Sequence, residues 1–319
     1  MIKYIGRRLA IAIVTLLTIL TLLFVLLEFM PGSPFNDEKL SDSQKEILYE
    51  KYGLDQPLLI RYKTFMINVI TKGDFGVSYA IDKNAEVSKI IDKRLPLSIR
   101  FGLQALVLGS IVGVILASIA ALKRNTIWDT MTTAFSVLGI SIPSYVFALG
   151  LSYFLGYKLT KATGVSYFPM TFDLYKPFKS SILPTIALSM FVIATVARFM
   201  RTELVEVLGS DYVLLAEAKG LNSHKIIFRH AMRNALIPVV TVLGPLTVSL
   251  MTGSLVIERV FGIPGIGDLL VTAISVNDFN IIIAVSFYYS IFYILMQLFI
   301  DILYGIIDPR IRVSKGGQS

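Results

Sequence analysis

Long unbroken apolar runs dominate this chain, rather than the alternation of a half-buried strand or the narrow stripe of a surface helix. The first, Leu9–Leu27, follows "MIKYIGRR". At about 19 residues it can span ~30 Å of hydrocarbon, exceeds the core of a secretion signal and has no small-residue cleavage site behind it. It predicts a retained first helix. Five further runs, Phe101–Leu122, Met131–Tyr157, Leu183–Met200, Ala235–Ile257 and Ile281–Ile307, each come near the ~20 residues a crossing requires. The pattern predicts an all-α polytopic membrane protein with six transmembrane helices. It is expected to form a single transmembrane domain over 1–319: a first helix at 1–30, an external loop at 31–99, and at 100–310 five core helices with a loop at 201–234.

Prolines interrupt these runs. Pro143 follows "LGIS" in mid-helix, Pro184 opens the fourth run, and Gly244-Pro245 lies inside the fifth. A proline removes a backbone hydrogen bond and kinks the helix, which lipid tolerates only where protein or a watery cavity satisfies the freed carbonyl. Such helices are expected to line a passage. Gly109 and Gly113 form a GxxxG in the second run, which either admits another helix closely or is incidental in a glycine-rich apolar stretch.

Composition agrees: 55% of the 319 residues are hydrophobic, mean hydropathy is +0.70 and only 16% are charged, below the usual quarter. The formal charge of +8 reads as basic residues held on the cytoplasmic side rather than as nucleic-acid binding. With the N-terminus inside, Lys3, Arg7, Arg8, Lys123, Arg124, Arg198, Arg201, Lys219, Lys225, Arg229, Arg233, Arg310, Arg312 and Lys315 all fall on one side. Both termini are then cytoplasmic. The lysine-bearing segment from Pro31 to Ile99 is long enough to translocate regardless of charge, and "YGLDQPLLIRYKTFMINVI" predicts a short helix within it. Lys161, Lys176 and Lys179 in the second external loop, Thr160–Ile182, run against the bias.

Acidic residues at or within the runs are few, Glu28 and Asp301, both read as helix-end groups reaching the interface. A proton- or sodium-coupled secondary carrier would place carboxylates near the midplane and show inverted repeats; the sequence displays neither. No Gly-Lys dipeptide occurs, so no P-loop exists, and HExxH and GxSxG are missing too. A membrane-embedded enzyme would need such a constellation. Without cysteines, and with His224 and His230 on different helix faces, no metal site is expected.

An energy source must therefore come from outside, and the loop from Arg201 to Asn234 is the place to seek its contact. Ser210 can cap a short helix with Asp211 at its positive end, Lys219 at its negative end and Gly220 as a left-handed stop. Tyr212, Leu215 and Ala216 fall at i, i+3 and i+4 and predict one apolar face. So short a helix is unstable alone, and the small Ala216, Ala218 and Gly220 suit a close-fitting groove. After a second cap at Asn222-Ser223, Lys225, Arg229 and Arg233 at spacing four form a basic stripe, open to anionic lipid or to a protein partner.

These residues resemble the cytoplasmic EAA-type loop of ABC importer permeases, and "AEAKGL…RHAMRNALIPVVT" resembles the oligopeptide/dipeptide permease family. "PGSP", "YGLDQPL", "GDFGVS", "GISIPS", "FGIPGIG" and "DILYGIIDPRIR" extend the resemblance along nearly the whole chain and point to the first of two permease subunits. It implies a type I importer fold in the bacterial plasma membrane. The loop would be a coupling helix seated in a separate ATPase subunit, with Ala216, Glu217, Ala218 and Gly220 at the matching positions and Asp211, Tyr212, Leu215 and Leu221 around them. It further implies a second homologous permease subunit, two ABC ATPases holding ATP and Mg, an extracellular substrate-binding lipoprotein and a peptide cargo. On this resemblance the chain itself is expected to bind no cofactor and not to be an enzyme. Ser141, Pro143, Ser144, Pro245, Phe261 and Pro264 are the candidate pathway or gate residues, with "FGIPGIG" either near an outer gate or a plain Gly/Pro turn. Ser33, Asn277 and Asn280 depart from the family pattern, where an acidic residue, Arg and Pro are common. Dipeptides or nickel and metal chelates stand as alternative cargo.

Overall fold

The computed structural model describes residues 2–30, 41–222, 225–251 and 255–307. "PGSP" with Ser33, Ser223 with His224, and 308–312 of the terminal motif lie outside the described residues. Among the described residues the chain is helical, its strand-like pairing confined to a Val77–Glu86 bridge. Five helices are long and apolar enough to cross a membrane, and a sixth crossing is available if one bent helix pair is a single span.

The first of two compact units comprises residues 1–97 and 264–294. It holds α1 (Ile2–Glu28), α2 (Asp42–Lys51), α3 (Leu58–Lys72), the opening turns of α4 (Val87–Leu122), α12 (Ile266–Ser275) and the first part of α13 (Phe279–Ile307). α2 starts in a capping box: the Ser41 hydroxyl accepts from the Gln44 amide, and the Gln44 side chain accepts from the Ser41 amide. α3 is the short helix expected in the external segment, and it docks on α1. Tyr62 and Thr21 hydroxyls meet at 2.8 Å, Phe24 packs on Tyr62 and Phe65, and Arg61 donates to Glu28 at 2.6 Å. Glu28 thus has a partner of its own. Leu20, Phe75, Val87, Ile91, Leu269 and Ile281 are buried in this unit's core.

The second unit spans residues 98–263 and 295–319. It contains the rest of α4, then α5 (Ile127–Ser141), α6 (Ser144–Leu151), a π-helical turn (Ser152–Lys158) and α7 (Leu159–Thr163). There follow α8 (Pro177–Leu208), α9 (Asp211–Ala218), a second π-helical turn (Ile226–Ala231), α10 (Met232–Met251) and α11 (Leu255–Phe261). α8 is the central helix, with 72% of its apolar window buried. It is reached through glycines. A Cβ on Gly109 or Gly113 would meet the Cβ of Val192 or Val196 at 2.5 or 2.7 Å, so the GxxxG of α4 is a helix contact.

From the other side α5 presents Asp129, Thr132, Ser136 and Gly139, its small and polar residues, and turns Met131, Val137 and Leu138 outward. A soluble helix would do the reverse. Where the surroundings are lipid, apolar side chains gain nothing by turning inward, and close approach of small residues makes the contact.

The elements are longer and more broken than the apolar runs predict. α4 begins 14 residues before Phe101 and α8 continues to Leu208, because polar turns that lipid would exclude are stable where protein or water satisfies them. Pro184, Pro238 and Pro245 lie within helices, Pro184 well inside α8 rather than at its start. The run Met131–Tyr157 is two helices meeting at 106° across Ile142-Pro143.

Candidate coupling element and helix break

α9 is held at both ends by backbone geometry. Ser210 stands at the N-cap with extended dihedrals, yet its hydroxyl turns back to donate to the Val207 carbonyl at 2.6 Å. It adds to a carbonyl in the last turn of α8 that the Ser210 amide also reaches, at 3.1 Å, and its side chain caps no amide of α9. Asp211 occupies the first turn and Lys219 the C-cap. Gly220, at φ +74°, closes the helix: its amide donates to Glu217 and the Leu221 amide to Ala216, the paired bonds of a Schellman stop.

Of the apolar face that the spacing predicts, the chain itself covers only Ala216. Val213 and Ala216 face inward onto Ile226 and Val207, while Tyr212, Leu214 and Leu215 remain 42%, 54% and 56% exposed. The side packed on the chain is set by the i, i+3 pair 213/216, which meets the π-helical turn behind it. Glu217, Ala218, Lys219, Gly220 and Leu221 are exposed as well. The outward face therefore combines large apolar side chains with a carboxylate and small residues. Tyr212 is tied back through its hydroxyl, which accepts from Nδ2 of Asn234 at 2.9 Å. Lys225, Arg229 and Arg233 are all exposed, although the π-helical turn between them means they do not form an ideal four-residue stripe.

The pathway candidates divide. Ser141, Pro143, Ser144 and Pro245 are exposed, with Ile142, Tyr145 and Val146 exposed beside the break. Pro143 has no amide to donate, so the α5 ladder ends there and α6 restarts with Val146 donating to the Pro143 carbonyl. Phe261 is fully buried and its carbonyl accepts from the Phe172 amide at 2.7 Å. Its side chain is packing. Pro264 is half-buried, Gly262 takes φ +62°, and Gly265 caps α12.

Three buried acids escape an inspection of the apolar runs because each sits just outside one. Asp129 is gripped by Arg201, Nε to Oδ1 at 2.5 Å and Nη2 to Oδ2 at 2.7 Å. Glu258 accepts from the Ser98 hydroxyl at 2.6 Å. Asp278 accepts through Oδ2 from the Ser78 hydroxyl and the amides of Tyr79, Ala80 and Ile81. The spacing of single residues carries no signal for such pairings, which join positions 72 to 200 apart.

Comparison with known proteins gives a consistent picture. A family model described as "Binding-protein-dependent transport system inner membrane component" matches residues 110–313, and one described as "Binding-prot-dependent transport system membrane comp, N-term" matches residues 1–102. The chain is 42% identical over 313 residues to the dipeptide transport system permease protein DppB of Lactococcus lactis subsp. cremoris, covering 98% of this chain and all of that protein. It is 40% identical to the DppB of Bacillus subtilis over 99% of this chain and all of that one. It is 38% identical to the oligopeptide transport system permease protein OppB of Haemophilus influenzae, over 98% and 100%. A crystal structure titled as an amino acid ABC transporter with histidines superposes with a TM-score of 0.50 at 14% identity, covering 70% of this chain and 94% of that one. That likeness concerns the fold, which is the type I importer arrangement. With both family models together accounting for nearly its whole length, this chain belongs to the inner-membrane components of binding-protein-dependent transport systems.

Proposed function

We propose that this chain is the membrane-spanning permease subunit of an ATP-driven importer that brings peptides into a bacterial cell. It forms the passage with a second, homologous permease subunit and is multi-pass with both termini cytoplasmic. It carries no catalytic group. Two ABC ATPase subunits bind ATP and Mg and hydrolyse it, and an extracellular lipoprotein delivers the cargo.

The observation that carries the reading is α9. It is a short helix, stopped at Gly220 and clipped to its own protein by Val213 and Ala216, with Tyr212, Leu214 and Leu215 left uncovered. An eight-residue helix has little stability of its own, so an exposed apolar face beside Glu217 and Ala218 is a surface awaiting a partner. ATPase closure moves α9, and the broken, exposed backbone around Pro143 supplies the part that opens. Shifting such a two-state device from 1:99 to 99:1 takes about 5.5 kcal/mol of differential binding, supplied through this contact. Peptide is the favoured cargo because the full-length relatives are dipeptide and oligopeptide permeases.

Co-purification from cells expressing the neighbouring genes tests the reading: an ATPase is retained by the native chain. Ala218→Trp fills the outer face without touching the packed one, and should abolish ATPase stimulation by loaded binding protein while leaving membrane insertion intact. Normal stimulation in that variant removes the coupling role. The ligands retained by the partner binding protein settle the cargo.

A further inference from the structure

The α5–α8 contact contains one feature unlike the rest of it. Thr132, Ser136 and Gly139 are small and buried, and Gly139 sits so close to α8 that an added Cβ would stand 2.8 Å from Ala194 and 3.0 Å from Met190, a seam to which α5 brings no bulky side chain. At the end of that seam Asp129, 5% exposed, is locked. Arg201 holds both of its carboxylate oxygens, and the Asn125 amide donates to Oδ2 at 3.0 Å from a turn whose Asn125 takes φ +61°. A two-pronged guanidinium–carboxylate contact fixes orientation as well as distance.

Both helices lead from this lock to something that the transport function uses. From Arg201, α8 runs two turns to Leu208 and enters α9 through Gly209 and Ser210, with Val207 packed against α9 itself. From Asp129, α5 runs up to Ser141 and the 106° break at Pro143.

We infer that the Asp129–Arg201 ion pair is a positioning element that transmits movement of the coupling helix α9 to the break at Pro143, making α5 a lever pivoted at its Asp129 end. The inference rests on the proposed coupling role of α9. With the lock intact, displacement of α9 turns α5 about a fixed point. Without it, only the small side chains Thr132 and Ser136 and the bare Gly139 remain on the buried side of α5 to carry the movement across, and it dissipates.

The test uses the assembled complex with its ATPases. The chain has no cysteine, so spin labels at Phe135→Cys and Val146→Cys, two exposed positions flanking the break, report its geometry by distance measurement with and without Mg-ATP. In the native background Mg-ATP shifts the distance distribution. Asp129→Asn keeps the ATPases bound and hydrolysing, while the Mg-ATP-dependent population shift falls by roughly fivefold or more. Arg201→Lys, which keeps the charge but not the two-pronged grip, shows the same loss, and the exchanged pair Asp129→Arg with Arg201→Asp restores part of it.

An undiminished shift in Asp129→Asn overturns the inference, as does the absence of any shift in the native background. If both single variants fail to assemble, the pair serves folding rather than transmission, and the inference is equally lost. Failure of the underlying coupling reading is distinct: the native chain would then retain no ATPase, and Ala218→Trp would behave as native.

Discussion

The hydroxyl of Tyr212, on α9, accepts a hydrogen bond from Nδ2 of Asn234 on α10 at 2.9 Å. The bond joins the start of α9 to the start of α10, and between them, among the described residues, Val213, Ala216 and Ile226 form a small buried cluster. Tyr212→Phe removes the acceptor and leaves the ring. A hydrogen bond of this kind contributes about 0.5–1.5 kcal/mol, too little to unfold the protein and enough to loosen α9. The expected result is faster proteolysis around Lys219 and Lys225 with an unchanged global melting temperature. Asn234→Ala should reproduce it, and the double variant should add little beyond either single change, since both act on one bond.

Gly109 and Gly113 carry a prediction opposite to helix propensity. Alanine in a helix interior is normally favoured over glycine by about 1 kcal/mol. Here an added methyl would lie 2.5 Å from Val192 Cβ at Gly109 and 2.7 Å from Val196 Cβ at Gly113. Overpacking of this type costs about 1–3 kcal/mol, so Gly109→Ala and Gly113→Ala should both lower the thermal midpoint in detergent. Gly150→Ala, whose methyl meets nothing within 4 Å, should be neutral or slightly stabilising.

These cases mark what the residue pattern does and does not carry. Apolar runs locate the crossings because the bilayer imposes a length, and Gly220 announces the end of α9 because a left-handed stop favours that residue. The face of α9 is different. Spacing marks Tyr212, Leu215 and Ala216 as an apolar face in need of cover, but nothing in it singles out Val213, whose burial is set by the π-helical turn at Ile226 that packs behind it. Helix limits fail similarly at Val87 and Leu208, where polar turns continue helices outside the apolar windows. The buried acids Asp129, Glu258 and Asp278 find partners on remote segments, and long-range pairing leaves no periodic trace.

Pro143 makes a direct prediction. Alanine there restores the missing amide and removes the ring clash with the preceding turn, allowing α5 to continue into α6. The labels at Phe135→Cys and Val146→Cys, 11 residues apart, would then report a separation near the ~16 Å of a straight helix, longer than across the present bend. Complex assembly should persist while transport falls, because the exposed break at Ser141–Ser144 no longer exists to move. An unchanged label distance would mean that the surrounding packing, rather than the proline, sets the 106° angle.

Asp278 closes the segment from Ser78 to Ile81 from 200 residues away, and its removal should open that segment. One of its oxygens accepts from the Ser78 hydroxyl and from three successive amides, Tyr79 to Ile81, while Asn280 donates to the Val77 carbonyl at 2.9 Å. Asp278→Ala orphans those donors, at about 1–3 kcal/mol for each of the two buried ones, the Ser78 hydroxyl and the Tyr79 amide, and less for the part-buried amides of Ala80 and Ile81. Asp278→Asn keeps an acceptor but loses the charge that strengthens these bonds and should fall between native and Ala. Protease sensitivity of the segment from Val77 to Glu86 orders the three proteins. Tyr79 adds a pH signature to the same loop. Burial pushes its phenol above the usual value near 10, partly offset by the Asn280 hydrogen bond. The folded form therefore holds its proton where the unfolded form releases it, so the Tyr79 contribution is complete below pH about 10 and declines as pH rises beyond it. Alkaline protease sensitivity of the loop should accordingly rise more steeply in the native chain than in Tyr79→Phe, and equal slopes would show that other groups govern the alkaline opening.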